Sequence, residues 1–306
     1  MAFPEQTPAA DIGERLAVTD EPLGPKRPTG IPGRARSERI VRILAYIGLT
    51  LVALLFFVPF LWTVATSLKT LPETVGFDFL PDDPSLTAYR EALTEFNFLR
   101  YTANSAGLAA AITLSDVALA SLGGYAFARL RFPGREVLFV LVLATLMIPD
   151  QLRLVPVYQM LVRADLVGTY QGLFFIKMVA AVSLFLMRQY FLTIPRDLEE
   201  AAKLDNAGYF KTYWRVMLPL AGPALAAVTI LTFQGIWNEL FWPLIILQDP
   251  EKWTLPIGIA QFVSVYQTLW PQLMAASVIA ILPIAVIYVF FQRYFVAGIA
   301  ASGVKG

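Results

Sequence analysis

The sequence predicts an all-α integral membrane protein with six transmembrane helices, and three observations support this prediction. Of its 306 residues, 57% are hydrophobic and only 15% are charged, whereas soluble domains carry about a quarter of their residues as charged side chains. Several apolar runs reach the roughly 20 residues that a helix needs to cross a hydrocarbon layer of about 30 Å. Lys and Arg are concentrated in alternate connections between these runs, as is typical of loops on the cytoplasmic side.

The chain begins with a segment that does not resemble a span. Residues 1–42 are rich in Pro and Gly and lack apolar periodicity, so we predict a disordered N-terminal tail. Ile43–Thr66 carries no charge and is the first predicted span. It is longer than the apolar region of a signal peptide, which has about 7–15 residues. Tyr101–Ala128 is the second span and contains a single charged residue, Asp116.

The third span is the least regular of the six. Val137–Pro149 is apolar, but Asp150 and Arg153 interrupt the pattern before Leu154–Leu161 resumes it. A buried core helix would show the same pattern. In so apolar a chain we interpret the segment as a span whose outer end is polar.

The fourth and fifth spans are clearer, and each contains one charged residue. Leu166–Met187 includes Lys177, and Val216–Gln248 includes Glu239. The last apolar stretch, Trp253–Gln292, is uncharged but too long for one span, and two prolines interrupt its first half. We therefore predict the sixth span near Leu273–Phe291, preceded by an outer loop or half-helix.

The distribution of basic residues sets the orientation of the six spans. The two termini and the connections between spans two and three and between spans four and five together hold 17 Lys and Arg residues, and the opposite side holds 6. Because cytoplasmic loops carry the excess of Lys and Arg, both termini are predicted in the cytoplasm. Without the third span, the basic loops would lie on opposite faces of the membrane.

The composition also excludes several classes of function. The chain has no His and no Cys, which excludes a His-containing catalytic triad, a thiol nucleophile, a disulfide and a His or Cys metal site. Its 24 basic and 23 acidic residues lack the basic surplus of a nucleic-acid-binding protein. No GxxxxGK[ST] motif is present to cradle nucleotide phosphates. We therefore predict no enzymatic chemistry, no cofactor, no metal and no nucleic-acid partner.

The connection between spans four and five, residues 188–215, is longer than a simple link and contains a predicted helix. Asp197 can cap this helix, with Glu200 completing a capping box. Leu198, Ala201 and Ala202 share one face at helical spacing, while Asn206 and Gly208 tolerate the backbone conformations that end helices. Such a helix suits docking to a cytoplasmic partner that moves both spans. Alternatively, it lies on the membrane or against its own bundle.

Charged groups within the spans are candidates for function because an unpaired charge in a membrane is costly. Lys177 and Glu239 lie at similar depths, since their positions along their spans differ by only about 3 Å at roughly 1.5 Å per residue. We hypothesise that they pair across a cavity; alternatively, each faces cavity water independently. Asp116 has no identifiable partner in the sequence and is predicted to face the cavity or a subunit interface.

Other polar and small residues have competing interpretations. Trp237, Asn238 and Trp242 lie in the fifth span and could stack on or hydrogen-bond a sugar, or could serve in packing. Gly123 and Gly124 are predicted to permit close packing of helices.

One string in the long connection carries a family resemblance. Glu200-Ala201-Ala202-Lys203-Leu204-Asp205-Asn206-Ala207, followed by Val216-x-Leu218-Pro219, resembles the EAA loop of ATP-binding-cassette importer permeases. That loop reads EAAxxDG, nine further residues, then I-x-L-P. The family glycine is replaced by Asn206, which is the non-glycine residue that best tolerates a left-handed backbone.

Further motifs are similar to those of the carbohydrate-uptake branch, whose smaller maltose-transporter membrane subunit is of the same type. They are Pro59-Phe60-Leu61-Trp62, Tyr125-Ala126-Phe127-Ala128-Arg129, Trp237-Asn238-Glu239-Leu240-Phe241-Trp242-Pro243 and Arg293-Tyr294-Phe295-Val296-Ala297-Gly298. The resemblance implies the type I importer topology, with a permease domain over residues 43–296, a core over about 98–293 and the EAA loop at 196–219. Residues 297–306 would form a cytoplasmic tail.

The resemblance also implies partners and roles. The chain would work with a second, different permease, two cytoplasmic ATPase subunits and an extracytoplasmic solute-binding protein, in the lipid of a bacterial or archaeal plasma membrane. The cargo would be a sugar or sugar derivative. The C-terminal tail would lie along the ATPase pair, and Gln248–Gln272 would contact the binding protein. The ATPase-docking residues would be Glu200, Ala201, Ala202, Asp205, Asn206, Ala207, Leu218 and Pro219.

The individual roles leave alternatives open. Glu200 could pair with the ATPase or cap its helix, and Asp205 could accept hydrogen bonds at the helix end. An ion-coupled secondary transporter would explain Asp116, Lys177 and Glu239 but would leave the EAA spacing to chance. A membrane-embedded enzyme or structural subunit is a third class.

Overall fold

The computed structural model describes residues 32–76, 78–264 and 267–303, with side chains described over residues 39–76, 78–264 and 267–290. All named elements within these ranges are helical, and the only extended pairing there is an isolated bridge between Val263 and Thr268. The chain divides into two units at Val58 and Pro59. The all-α fold predicted from the sequence is confirmed.

The first helix, α1, spans Pro32–Ser67. It begins well before the predicted start at Ile43, so the boundary of the predicted tail was wrong for residues 32–42, and the rest of that tail lies outside the described residues. The apolar side chains from Ile40 to Val58 are exposed, as expected of a surface that faces lipid. A short 3₁₀ helix, Pro72–Val75, and α2, Thr87–Thr94, follow.

Helix α3, Phe98–Arg129, is a 32-residue helix, about 48 Å long at 1.5 Å per residue. It contains the second predicted span and packs against the helices of the fourth and fifth spans. Gly124 allows the close approach that the sequence predicts, because a Cβ there would lie 2.6 Å from the Cβ of Met187.

The third predicted span is not a straight helix. It consists of α4, Arg135–Ala144, a 3₁₀ turn Thr145–Met147, a second 3₁₀ turn Asp150–Arg153 and α5, Leu154–Arg163. The two halves are bent by 98° at the break between them. Pro149 lies in this break, where its missing N–H and fixed φ disfavour continuation of the helix.

The fourth and fifth spans are also interrupted. The fourth comprises α6, Tyr170–Lys177, and α7, Ala181–Thr193, bent by 40°. The loop helix is α8, Asp197–Leu204, and a four-residue helix α9, Tyr209–Thr212, continues into a π-helical turn, Tyr213–Met217. After α10, Leu218–Leu220, the chain bends by 77° into α11, Gly222–Trp237. The predicted start of the fifth span, Val216, therefore lies in the π-helical turn, and the straight helix α11 begins only after the bend, at Gly222.

The remaining elements follow α11 and include the last span. Helix α12, Phe241–Ile246, is followed by a 3₁₀ turn, Pro250–Lys252, and by α13, Leu255–Ala260. Helix α14, Trp270–Gly303, contains the sixth predicted span. The predicted tail at 297–306 is therefore helical as far as Gly303. In all, three helices are long and apolar enough to cross a membrane, or six spans if each bent pair counts as one, within the described part of the chain.

Candidate functional site

The loop helix α8 has one side fixed to the rest of the chain. Ala202 is buried, which corrects the prediction that it contacts a partner together with Ala201. The guanidinium of Arg129, at the end of α3, donates to the carbonyls of Phe191 and Ile194 at the end of α7. Its Nε also lies 3.7 Å from Glu199 Oε1 of α8, and the two side chains are 4% and 13% exposed.

Arg129 therefore links the end of α3, on which it lies, to the end of α7 and to the loop helix. Lys and Arg suit helix C-termini because their donors satisfy carbonyls that lack an intrahelical partner. Sequence reasoning missed this role of Arg129 and assigned no role to Glu199. The available signal was the position of Arg129 at the end of a long apolar run.

The end of α8 forms the turn that the EAA string requires. Asn206 has φ of +53°, so its predicted left-handed conformation is confirmed. The Asn206 N–H donates to Lys203 O at 3.0 Å, and the Ala207 N–H donates to Ala202 O at 2.9 Å. These two bonds are the Schellman arrangement that ends helices. Gly208 lies after the turn and is extended, with φ of −67° and ψ of 165°.

The start of α8 differs from the prediction. The N-cap residue is Arg196, and no side chain caps the helix. The predicted capping box of Asp197 and Glu200 was therefore wrong, because Asp197 lies inside the helix as its first residue. Glu200 and Ala201 are exposed, as are Asp205, Asn206 and Pro219, whereas Ala207 and Leu218 are half-buried.

The exposed side of α8 and of the residues that follow it carries large apolar side chains as well as the small Ala201. Leu198 is 41% exposed and Leu204 is 86% exposed on α8, and the aromatic rings of Tyr209, Phe210 and Trp214 next to it are also exposed. Contiguous apolar patches on a protein surface mark sites of contact with a partner or a membrane.

The charged residues within the spans form two separate groups. In the first, Asp116 is completely buried and its carboxyl oxygens accept three hydrogen bonds. The donors are the Ala180 N–H at 2.7 Å, the Ser183 hydroxyl at 2.6 Å and the Thr232 hydroxyl at 2.5 Å. The prediction that Asp116 faces a cavity or a subunit interface was wrong, because these donors from α7, its N-cap and α11 surround it.

In the second group, Lys177 Nζ lies 3.0 Å from Glu239 Oε2, so the structure brings together the pair that the sequence hypothesis joined. Lys177 also lies 2.9 Å from Asp150 Oδ2, and Asp150 pairs with Arg153. Sequence reasoning did not connect Asp150 to this pair. The sequence feature that could have identified Asp150 is its position directly after Pro149, in the middle of an apolar segment.

The aromatic residues of the fifth span serve in packing. Trp237 is 1% exposed and donates from Nε1 to Ala280 O at 3.1 Å. Trp242 is 0% exposed and donates from Nε1 to Asp150 Oδ2 at 3.1 Å. Neither ring face is available to a sugar. The alternative in which Trp237 and Trp242 stack on a sugar was therefore wrong for both residues. Asn238 is exposed beyond the end of α11.

Comparisons with known proteins agree with this arrangement. Residues 117–301 match the family described as binding-protein-dependent transport system inner membrane component. The chain is 34% identical over 278 residues to the arabinooligosaccharides transport system permease protein AraQ of Halalkalibacterium halodurans, covering 89% of this chain and 100% of that protein. It is 35% identical to the trehalose/maltose transport system permease protein MalG of Thermococcus litoralis, covering 89% and 99%.

Other similar proteins are named for the transport of different cargoes. The sn-glycerol-3-phosphate transport system permease protein UgpE of Brucella abortus is 32% identical, over 89% of this chain and 99% of that protein. Among solved structures, one chain of a bacterial ABC transporter involved in the import of the acidic polysaccharide alginate is similar, with a TM-score of 0.74 and 26% identity. That match covers 85% of this chain and 98% of the other.

Proposed function

Because the chain belongs to the family of binding-protein-dependent transport system inner membrane components, with permeases of sugar importers as its relatives, we propose that it is one of two different permease subunits of an ATP-driven sugar importer. Two ATPase subunits in the cytoplasm and an extracytoplasmic solute-binding protein complete the importer. The chain supplies part of the transmembrane pathway and no catalysis. Both of its termini lie in the cytoplasm.

The observation that carries this proposal is the two-sided character of α8. Ala202 and Glu199 fix one side to the rest of the chain, while Leu198, Ala201 and Leu204 are exposed on the other. A helix that is rigidly attached on one side and apolar and small on the other can transmit a push from a partner into the spans. We propose that the ATPase binds this exposed side, with Glu200 and Asp205 at its polar edge.

The tight turn after α8 supports the same role. With Asn206 in the left-handed region, the chain reverses within two residues, and Leu218 and Pro219 follow at the start of the 77° bend into α11. A displacement of α8 would therefore reach α11 through a short connection and α3 through Arg129. Nothing in the described residues or in the comparisons favours the ion-coupled alternative.

Co-purification of the cognate ATPase tests the proposal. Ala201→Trp adds a bulky ring to the exposed side of α8, and Ala164→Trp makes the same change at the exposed end of α5. We expect Ala201→Trp to lower ATPase recovery about tenfold, the effect of about 1.4 kcal/mol of lost binding free energy. The control should recover as much ATPase as the unmodified chain. Equal recovery with both variants would overturn the proposed docking surface.

A further inference from the structure

Three interruptions of the membrane helices bring charged side chains to one place. Asp150 follows the break after Thr145–Met147, Lys177 is the last residue of α6, and Glu239 lies between α11 and α12. Lys177 contacts both carboxylates, at 2.9 Å and 3.0 Å, and Arg153 pairs with Asp150. We call these four residues the charged cluster.

Each member suits the helix end at which it lies. Lys177 carries its positive charge at the C-terminus of α6, and Asp150 lies at the start of a helical turn, both favoured by the helix dipole. Glu239 Oε1 accepts from the N–H groups of Phe241 at 3.1 Å and of Trp242 at 3.4 Å. The cluster is thus held by backbone as well as by its own ion pairs, which fixes the directions of its side chains.

The charged cluster lines a cavity of about 560 Å³. This volume lies within the range of about 300–1,000 Å³ that is usual for small-molecule sites. The side chains reach the cavity surface, since Lys177 and Glu239 are 21% and 20% exposed and Arg153 is 43% exposed. Ile148, Ile176 and Ile236 supply apolar wall between the charged groups.

The charges in this wall balance. Two carboxylates face one ammonium and one guanidinium, and Lys177 is shared between both carboxylates. Arg153 Nε has no hydrogen-bond partner among the described residues, and the carboxylates retain unused acceptor positions because each oxygen accepts about two bonds. The wall therefore offers both donors and acceptors but no net charge.

We infer that this cavity is a solute subsite for a neutral, polyhydroxylated ligand, namely an uncharged sugar. The inference rests on the proposed function and specifies the class of cargo. Sugar hydroxyls donate to carboxylates and accept from guanidinium groups, and aliphatic wall suits the apolar faces of the rings. A phosphate or a uronic carboxylate would instead approach Asp150 and Glu239, whose cations are already engaged, so its desolvation would be uncompensated.

Uptake by the reconstituted importer tests the class of cargo. Vesicles that contain the importer, its binding protein and internal ATP are offered a neutral mixture of trehalose, maltose, arabino-oligosaccharides and diacetylchitobiose. A parallel sample receives sn-glycerol 3-phosphate and alginate oligosaccharides. We expect a solute from the neutral mixture inside the vesicles. Uptake from the acidic mixture, or from neither, while ATP hydrolysis still responds to the loaded binding protein, would overturn the inference and leave the proposed function standing.

Variants test whether the charged cluster contacts the solute. For Arg153→Gln we expect the solute carried per ATP to fall about tenfold, the factor for one lost charge-assisted hydrogen bond. Arg163→Gln makes the same change at an exposed side chain, the last residue of α5, and is the matched control, with no expected change. An unchanged ratio in Arg153→Gln would overturn the subsite. If the binding protein does not stimulate ATP hydrolysis by the unmodified importer, that result would instead overturn the proposed function and this inference with it.

Discussion

Asp116 offers the sharpest test of how the membrane core is held together. Its carboxyl group accepts from one backbone N–H and two hydroxyls, all within 2.7 Å, and it is completely buried. Asp116→Ala leaves these donors without their acceptor. The hydroxyls of Ser183 and Thr232, already 3.5 Å apart, can partly satisfy each other, but the Ala180 N–H cannot.

The expected cost follows from these contacts. Each buried donor left unsatisfied costs about 1–3 kcal/mol, so one lost backbone partner, weakened hydroxyl bonds and the new cavity together amount to about 3 kcal/mol. For a chain of this size, that lowers the apparent unfolding temperature by about 6–12 °C. Asp116→Asn keeps the shape of the side chain. Its amide oxygen can still accept from the Ala180 N–H, and its amide N–H groups can donate to the two hydroxyl oxygens, so the expected cost is about 1 kcal/mol.

Thermal unfolding of the purified chain in nanodiscs, followed by tryptophan fluorescence, measures the difference. We expect Asn to remain close to the unmodified chain and Ala to unfold well below it. Asp116→Asn should also retain uptake, whereas a proton-carrying role would make it inactive. Equal destabilisation by both variants, or none by either, would refute the structural assignment of Asp116.

Three further predictions follow from the geometry of α3 and the loop helix. Gly124→Ala should destabilise the chain by about 1–3 kcal/mol through overpacking, measured by thermal unfolding, while Gly107→Ala, with nothing within 4 Å, should not. Asn206→Gly should preserve assembly with the ATPase and Asn206→Val should weaken it, since a left-handed backbone costs a β-branched residue about 1–2 kcal/mol; co-purification decides, and equal recovery would contradict the role of the turn. Arg129→Gln should lower the amount of solute carried per ATP more than Arg129→Lys does. If the two variants carry the same amount of solute per ATP, the contact of Arg129 with α7 and α8 does not couple these helices to α3.

The membrane spans were predictable because their signal is local. A run of apolar residues must be buried in lipid whatever its neighbours do, so all six runs are mainly helical in the structure, although three of them are interrupted by a break. The turn at Asn206 was predictable because Asn is the non-glycine residue that best tolerates a left-handed backbone, and it stands directly after the helical pattern ends. The N-terminal limits of these helices were not predictable, because exposed polar residues such as those before Ile43 continue a helix without an apolar signal.

The contacts of the charged groups depend on tertiary structure. Composition shows that Lys177 and Glu239 need partners, and their similar depth suggested each other, but depth along a straight span could not reveal Asp150 beyond a 98° bend. Likewise, Ala202 lies on the helical face predicted to meet a partner, yet its burial depends on how α8 packs against its own chain. Helical periodicity shows which residues share a face but not what covers it.

The most direct test of the central claim is a contact between α8 and the ATPase in the assembled importer. The chain contains no Cys, so a single Ala201→Cys variant can carry a benzophenone at one defined position, with Ala164→Cys as the control. We predict that illumination joins the label at position 201 to the ATPase subunit, identified by mass spectrometry, and that the yield changes when ATP is bound. An adduct yield at position 201 no higher than at position 164 would contradict the account.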